Sequence, residues 1–480
     1  MMIMKFQHKS LKNSFQFNNW VLGSLVILIT LSFTSCESFL SQTSTNDVAD
    51  EDMFNDAASL ESARIGMYNS LQNQYYYGGF FPLMADAYSD NGATGGYDNL
   101  DLDELGYKEA TPNNIYIENC WIAMYNTIYN CNQIITNIDN INDPLLSEEL
   151  RNDIKGEALT VRALAHFDLL RMFGEHWDNT STFGIPVVKE ILSPETTIGR
   201  NTVAETYDAI INDLTTAEGL LSNDDLRFDP PALKGPQFIT KTACQALLAR
   251  VHQYHFDYIN ADYYASLVIL EGFASLSDAA SYAENYTTKF ATEAIFELAF
   301  NGQDKSQFNA LTFARPDALR SEVSFLAAED LSAFFSTRTD DVRAGLVDFE
   351  NNDVSIEPDG RTQKYRGEVF QDHSAYVTRY AAMLLILGET GGFAGGPIML
   401  NDLRAARGMS NATPADEAEY IALLVDERRA ELNFEGHRYF DLAHFGLVES
   451  VLGEEVMPCF PIPGREINAS GGLLIQYPGY

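Results

Sequence analysis

Basic residues are scarce in this chain: 31 Lys and Arg stand against 68 Asp and Glu, a formal net charge of −37. Such a balance excludes nucleic acid as a partner and excludes electrostatic adhesion to anionic lipid. Cysteine is scarce too, with five in 480 residues. Cys120 and Cys131 lie eleven apart on one predicted helix, roughly 16 Å, where a disulfide needs about 6 Å between Cα atoms. Cys244 and Cys459 have no near partner and no CxxC or zinc-finger spacing occurs, so four buried thiols are expected. GxSxG is absent, which removes the commonest serine-nucleophile signature. The glycine run GETGGFAGGP, 388–397, has neither a GKS or GKT end nor a preceding strand, and reads as a flexible connection instead of a phosphate loop. His252 and His255 stand at i,i+3 without a carboxylate pair at metalloprotease spacing, and His166 and Asp168 point different ways on a helix. No metal, cofactor or catalytic residue is expected.

What is present is a globular composition, 46% hydrophobic and 12% aromatic. The first 20 residues carry Lys5, Lys9 and Lys12 and no acid, and VLGSLVILITLSF follows as an apolar core too short for a comfortable membrane span. Residues 1–35 therefore read as a signal peptide. FTSC at its end places Cys36 directly after small residues, the arrangement of a bacterial lipoprotein in which that cysteine is acylated. Its removal deepens the charge to −40. Residues 36–52 form a polar, acidic tether, and 53–480 a single globular unit.

Helical signals dominate that unit. A helix starting with Thr111 as cap and Pro112 in its first turn runs apolar through Trp121, Tyr125, Ile128 and Ile135. Others open at Ser147 and stop at Gly174, open at Thr202 with Glu205 completing a capping box, and open at Thr240. A further one uses Thr413, Pro414 and Asp416. Helix hairpins thus occupy about 53–260 and 373–450, an irregular insert about 261–372, and a Pro- and Gly-rich tail 451–480.

DERRAELNFEGHRYFDLAHFG, 426–446, is the densest concentration of charge. Val425, Leu432 and Tyr439 fall on one helical stripe, while Glu427 and Glu431 share the polar side. Glu435 with Arg438, and Arg438 with Asp441, stand at the i,i+3 spacing at which opposite charges meet. Gly436 costs roughly 1 kcal/mol in a helix interior and marks a close approach or a break. The cluster reads as scaffold.

Several blocks together resemble the SusD/RagB family of surface lipoproteins with which Bacteroidetes capture nutrients. SCESFL at 35–40 is similar to its lipidated start, ENCWIAMYNTIYNCNQII at 118–135 to a helix with tryptophan and tyrosine, and VRALAHFDLLRMFGE at 161–175 with FGIPVV at 183–188 to its R-A…F-G…G-I-P signature. TKTACQALLARVH at 240–252 and NDLRAARGM at 401–409 resemble two further helices. ERRAELNFEGHRYFDLAHFG at 427–446 is the most specific, with His444 where arginine is usual, and PIPGREINASGGLLIQYPGY resembles the closing segment, with Tyr477 in the asparagine position. YVTRYAAMLLILGET at 376–390 departs at Ala381 and Gly388. The resemblance implies a mainly α fold of tetratricopeptide-like helix hairpins forming a scaffold, with an irregular, loop-rich ligand-binding region laid over it. It also implies an outer-membrane, cell-surface location through the N-terminal lipid, an oligosaccharide ligand and a SusC-like TonB-dependent transporter as partner. No strict 34-residue repeat is visible.

Sugar binding requires ring faces for apolar pyranose surfaces and amides, carboxylates or arginines for hydroxyls. LQNQYYYGGFFPLMADAYSDNGATGGYDN, 71–99, supplies Tyr75, Tyr76, Tyr77, Phe80, Asp90, Asn91 and Tyr97. The insert adds Tyr286, Phe313 and Arg315, near Tyr282 and Phe308. Two other classes fit the composition: a lipid-anchored glycoside hydrolase, needing two carboxylates about 5–9.5 Å apart, and a helix-hairpin scaffold binding only proteins.

Overall fold

A computed structural model describes residues 54–95, 99–193, 195–228, 230–312, 324–348, 360–365 and 372–480. Cys36, the signal peptide, the tether, Tyr97, Phe313 and Arg315 lie outside the described residues. Helices α1 (Ala57–Leu71), α2 (Phe80–Ala87), α3 (Leu100–Tyr107), α4 (Ile115–Asn137), α5 (Glu148–Phe173), α6 (Val203–Leu220), α7 (Lys241–Tyr254) and α8 (Tyr258–Glu271) come first. Short helices α9 (Glu284–Thr287), α10 (Phe308–Thr312) and α11 (Glu329–Ser336) alternate with strands. Then α12 (Tyr380–Ala406), α13 (Glu417–Leu432), α14 (Arg438–His444), α15 (Val448–Leu452) and α16 (Gly464–Ala469) complete the chain.

Successive long helices pack as neighbours, α4 on α5, α5 on α6, α6 on α7, α7 on α8 and α12 on α13, while α12 also closes against α8. This is the expected mainly helical hairpin scaffold. α5 is its centre: every residue from Gly156 to Phe173 is buried, so each charge on it needs a partner. Arg162 makes a two-pronged contact with Asp213, both bonds 2.8 Å, and Glu157 is held by Arg64 and Lys234. Ser147, Thr202 and Thr240 cap as expected. Thr111 does not; Asn114 caps α4, because the Thr111 hydroxyl is taken by Glu104. The last cap is Asp416.

The glycine run 388–397 is helical rather than a loop. α12 continues through it with one break at Gly392, φ 53° and ψ −165°. Gly436 fulfils both readings of its position, since it separates α13 from α14 at φ 83° and a Cβ there would meet Pro82 Cα at 3.0 Å.

Among the described residues, eight short strands pair antiparallel in twos: β1 (Gly92–Thr94) with β5 (Phe325–Ala327), β2 (Asp224–Asp225) with β3 (Ala232–Leu233), β4 (Ala294–Leu298) with β8 (Ala375–Arg379), and β6 (Val347–Asp348) with β7 (Arg361–Thr362). The region read as an irregular insert thus holds the end of α8, strands β4 to β7, of which β4 and β5 pair outside it, and short helices.

It is fastened to α13 by buried charge, and here the i,i+3 pairs expected within 426–446 are replaced. Glu435 binds Arg379 at 2.9 Å and Lys364 at 2.6 Å, Arg438 binds Asp90 at 2.7 Å, and Asp441 binds Arg428 at 2.6 Å. Glu427 and Glu431, expected on a polar face, are both 0% exposed. Glu431 meets Arg379 at 2.6 Å, Arg407 at 2.9 Å and Arg343 at 3.1 Å. Glu427 meets Arg338, Arg343 and Arg404. Burial alone would push the Glu431 carboxyl up; Arg407, Arg379 and Arg343 hold it well below the usual carboxylate range. Cys120, Cys131, Cys244 and Cys459 are free and buried.

β4 carries the opposite case. Burial raises Glu297 to about 7, although the Phe290 backbone N–H donates to it at 3.2 Å and the Lys289 charge pulls it down.

Two outcomes follow from these charges. Glu431→Ala leaves three guanidiniums around an empty position and is expected to cost about 3–5 kcal/mol in urea unfolding, with faster proteolysis between residues 324 and 379. Wild-type stability with unchanged proteolysis would contradict the network's role. For Glu297 the folded state binds its proton more tightly than the unfolded chain does. Its contribution therefore falls as pH rises from about 4.5 to about 7 and is constant above. Glu297→Gln is expected to gain on the order of 2–3 kcal/mol relative to wild type between pH 4.5 and 8, read from paired denaturation curves.

Candidate functional site

Of the three consecutive tyrosines, the fold buries two. Tyr76 is 0% and Tyr77 3% exposed, and both hydroxyls donate to Asp168 on α5, at 2.7 and 2.9 Å. Asp168 is also paired with Arg171, whose guanidinium lies over Phe81, Phe167, Tyr254 and Phe440. These two tyrosines are core and offer no open ring face, a correction to their selection as ligand contacts. Burial and the nearby Asp168 carboxylate push both phenols well above their ordinary range.

Asp90 and Asn91 are likewise occupied. Asp90 receives Arg438 through both carboxylate oxygens, at 2.7 and 2.8 Å, and Arg429 at 3.1 Å. Asn91 is fully buried, accepts from Arg429 and donates to Asp86 at 2.8 Å. Desolvation raises Asp86 to about 6, against the Asn91 hydrogen bond. The two residues lock the start of β1 to α13 and α14. Tyr286 is 1% exposed, and its hydroxyl donates to Glu435 at 3.0 Å. Tyr282 and Phe308 are also buried.

What remains at the surface is the edges of a short row of rings, Tyr75 and Tyr116, whose middle member Phe80 is buried at 8% exposure, a correction to its selection as a ligand contact. Tyr75 is half-buried, with its ring 5.3 Å from Phe80. Phe80 stacks on Tyr116 at 4.7 Å and 16°, and Tyr116, in the first turn of α4, is half-buried as well. The row is seated firmly: the Cys120 thiol lies 2.9 Å from the Tyr75 carbonyl, and Phe80 meets Phe325 edge-on at 5.8 Å. Amides surround it. Asn99 donates to the Tyr116 hydroxyl at 2.8 Å while capping α3. Asn73 accepts from the Tyr75 N–H at 2.9 Å, and Gln74 is exposed. Gln307 donates its backbone N–H to Gly78 at 2.7 Å, and its side chain lies over Gly79, where a Cβ would stand 3.1 Å away.

The two stretches singled out in the sequence therefore meet. Gly78 pairs with Gln307, and Gly95 donates to Ser324 beyond the β1–β5 ladder. Tyr116, Asn99 and Gln307 were missed by sequence reasoning. The signal for Tyr116 was available, since it falls one turn before Cys120 and Trp121 on the same helix, but nothing local sets Gln307 beside Gly79. Chemically, such a surface can stack an apolar ring face and hydrogen-bond its edge. His252 bonds Asp257 at 3.1 Å and stacks on Tyr264, whereas His255 lies against Tyr207; the pair shares no ligand geometry. His166 accepts from the Val188 N–H.

A protein family described as starch-binding and associating with the outer membrane matches residues 38–252, and the SusD family matches residues 356–447. SusD-like protein P2 of Formosa agariphila is 24% identical, with 95% of this chain and 98% of the relative covered. SusD-like protein P38 of the same organism is 23% identical over 90% and 92%. Among solved structures, a SusD superfamily protein from Bacteroides thetaiotaomicron superposes with a TM-score of 0.76 at 21% identity, covering 88% of this chain and 99% of that one. A laminarin-binding SusD-like protein gives 0.74 at 20%, covering 89% and 100%. With the helical N-terminal half and the charged α12–α14 block both matched, and relatives covered end to end, the chain belongs to the SusD/RagB family.

Proposed function

We propose that this protein is a non-catalytic, lipid-anchored glycan-binding protein of the outer membrane. It captures oligosaccharide on the Tyr75–Phe80–Tyr116 surface and passes it to a SusC-like TonB-dependent transporter. The observation that carries the reading is the pair of half-buried rings, Tyr75 and Tyr116, packed on the buried Phe80 and bordered by Asn73, Gln74, Asn99 and Gln307. Support comes from the family's description as starch-binding and from a structural relative named for laminarin binding. Tyr97, Phe313 and Arg315 belong to segments that adjoin this surface in the chain and are proposed to extend it. Cys36 would carry the lipid. Nearby carboxylates favour binding over hydrolysis, since Asp90 is neutralised by two arginines and Asp86 is sealed in the core.

Affinity electrophoresis through neutral polysaccharides, laminarin and starch among them, tests the site. One polymer is expected to retard the protein without sugar release. Tyr75→Ala or Tyr116→Ala should weaken binding about tenfold, the equivalent of roughly 1.4 kcal/mol of lost stacking. Tyr76→Phe should lower the melting temperature and leave affinity unchanged. Released sugar would assign a hydrolase instead, and no retardation by any polymer would favour a protein-binding scaffold. Deleting the transporter is expected to abolish uptake while the isolated protein still binds; surviving uptake would sink the delivery step.

A further inference from the structure

A concave surface lies on another face of α4. A cavity of about 640 Å³ opens between α4, the irregular segment after Pro186 and α16, and a smaller one of about 340 Å³ shares Val188, Leu192 and Ile198 with it. Its floor is aliphatic and aromatic: Ile122, Leu192, Ile198 and Leu474 beside Trp121 and Tyr125. Next in the chain to the lining residues Leu192 and Leu474, Ile191, Leu473 and Ile475 are 40%, 53% and 64% exposed. The segments are tied together, since Arg200 donates to the Ile475 carbonyl at 2.8 Å and the Leu473 carbonyl lies against Gly199.

Its polar lining is acidic. Glu195 and Glu466 line the larger cavity with Thr196, Thr197 and Ser470, and no Lys or Arg lines it. Glu190 and Glu205 line the smaller one, with Lys189 as its single cation. Arg465, the adjacent base on α16, is turned toward Glu118 at 3.6 Å.

A sugar is poorly suited here. Trp121 is 5% exposed, with Tyr125 packed at 4.8 Å and Phe173 at 4.9 Å from its ring. The Tyr125 hydroxyl is spent on the Pro186 carbonyl at 2.8 Å. Trp121 leaves no open ring face for a pyranose and the half-buried Tyr125 is the other ring in the lining, whereas the aliphatic floor suits a branched side chain and the carboxylates suit a neighbouring cation. An apolar cavity floor with exposed aliphatic chain neighbours is the kind of surface that marks an interaction site.

We propose that this cavity docks a peptide segment of a partner protein in which aliphatic side chains alternate with Lys or Arg. The aliphatic chains enter between Ile122, Leu192 and Leu474, and the cations meet Glu195 and Glu466. The site is independent of the glycan surface and of the transport reading.

The test uses the full-length chain and two fluorescein-labelled peptides, acetyl-Ile-Lys-Leu-Lys-Leu-amide and its counterpart with Glu for Lys, read by fluorescence anisotropy. The basic peptide is expected to bind saturably and the acidic one not at all. Raising salt from about 0.05 to 0.5 M should weaken the basic peptide. The Glu195→Gln/Glu466→Gln double variant should bind it at least about tenfold more weakly, and Leu192→Ser should weaken it severalfold without removing the salt dependence. Unchanged melting curves confirm that both variants fold; if one melts early, the other carries the test. Equal binding of the two peptides, equal affinity in wild type and both variants, or no binding would overturn the proposal. Displacement of the bound peptide by a neutral oligosaccharide would also overturn it, assigning the cavity to sugar.

Discussion

The fold depends on buried charge that is matched rather than avoided. Glu427 and Glu431 in the last turns of α13, and Glu435 in the connection that follows, are almost fully removed from water and are met by Arg338, Arg343, Lys364, Arg379, Arg404 and Arg407. Taking an ion out of water costs several kcal/mol, so such a group is tolerable only as a complete set. Its members come from distant parts of the chain: Glu293 before β4, which pairs with Arg379 at 3.1 Å and Arg407 at 2.7 Å, Arg338 and Arg343 after α11, Lys364 after β7, Arg379 at the end of β8. The strand pairs between α8 and α12 can therefore settle only when α13 is in place. Aliphatic packing would tolerate slippage by a residue, whereas forked guanidinium contacts with a carboxylate do not. The network fixes register as well as position.

That fixation matters for the surface it supports. Loops that face a ligand contribute little packing of their own and tolerate change, provided the frame holds their ends. Here the ends are held by the Gly78–Gln307 and Gly95–Ser324 hydrogen bonds, by the β1–β5 ladder, and by Arg438 and Arg429 on Asp90. Asp90 and Asn91 look like recognition groups in the sequence, yet their work is to dock β1 onto the charged helices.

The difference between what could and could not be read follows from the range of each interaction. Capping at Ser147, Thr202 and Thr240 is decided within four residues and was legible. Thr111 was misread because Glu104, from the preceding helix, competes for its hydroxyl. The i,i+3 pairs in 426–446 are sound for a solvated helix, but burial exchanges them for partners some 10 to 350 residues away. Three tyrosines in succession carry no periodicity that distinguishes an outward ring from an inward one. Asp168, about ninety residues on, takes Tyr76 and Tyr77 and leaves Tyr75. Family resemblance supplied the scaffold and the class of function; the ring row needed Tyr116 and Gln307 to be brought beside Phe80 and Gly79 in space.

One helix carries both surfaces. On α4, Tyr116 and Cys120 face the ring row, and Trp121, Ile122 and Tyr125 face the acidic cavity. Communication between them would require an element with two packed arrangements. α4 offers none: it is wedged between α1 and α5, capped by Asn114, and buried along Cys120, Met124, Ile128 and Cys131. A close-packed helix of this kind transmits position and not a switch. Occupancy of the two surfaces is then additive, and a partner held at the acidic cavity would act by keeping the glycan surface nearby. Its benefit to capture would come through effective concentration, which rises without any change in the intrinsic affinity of either site.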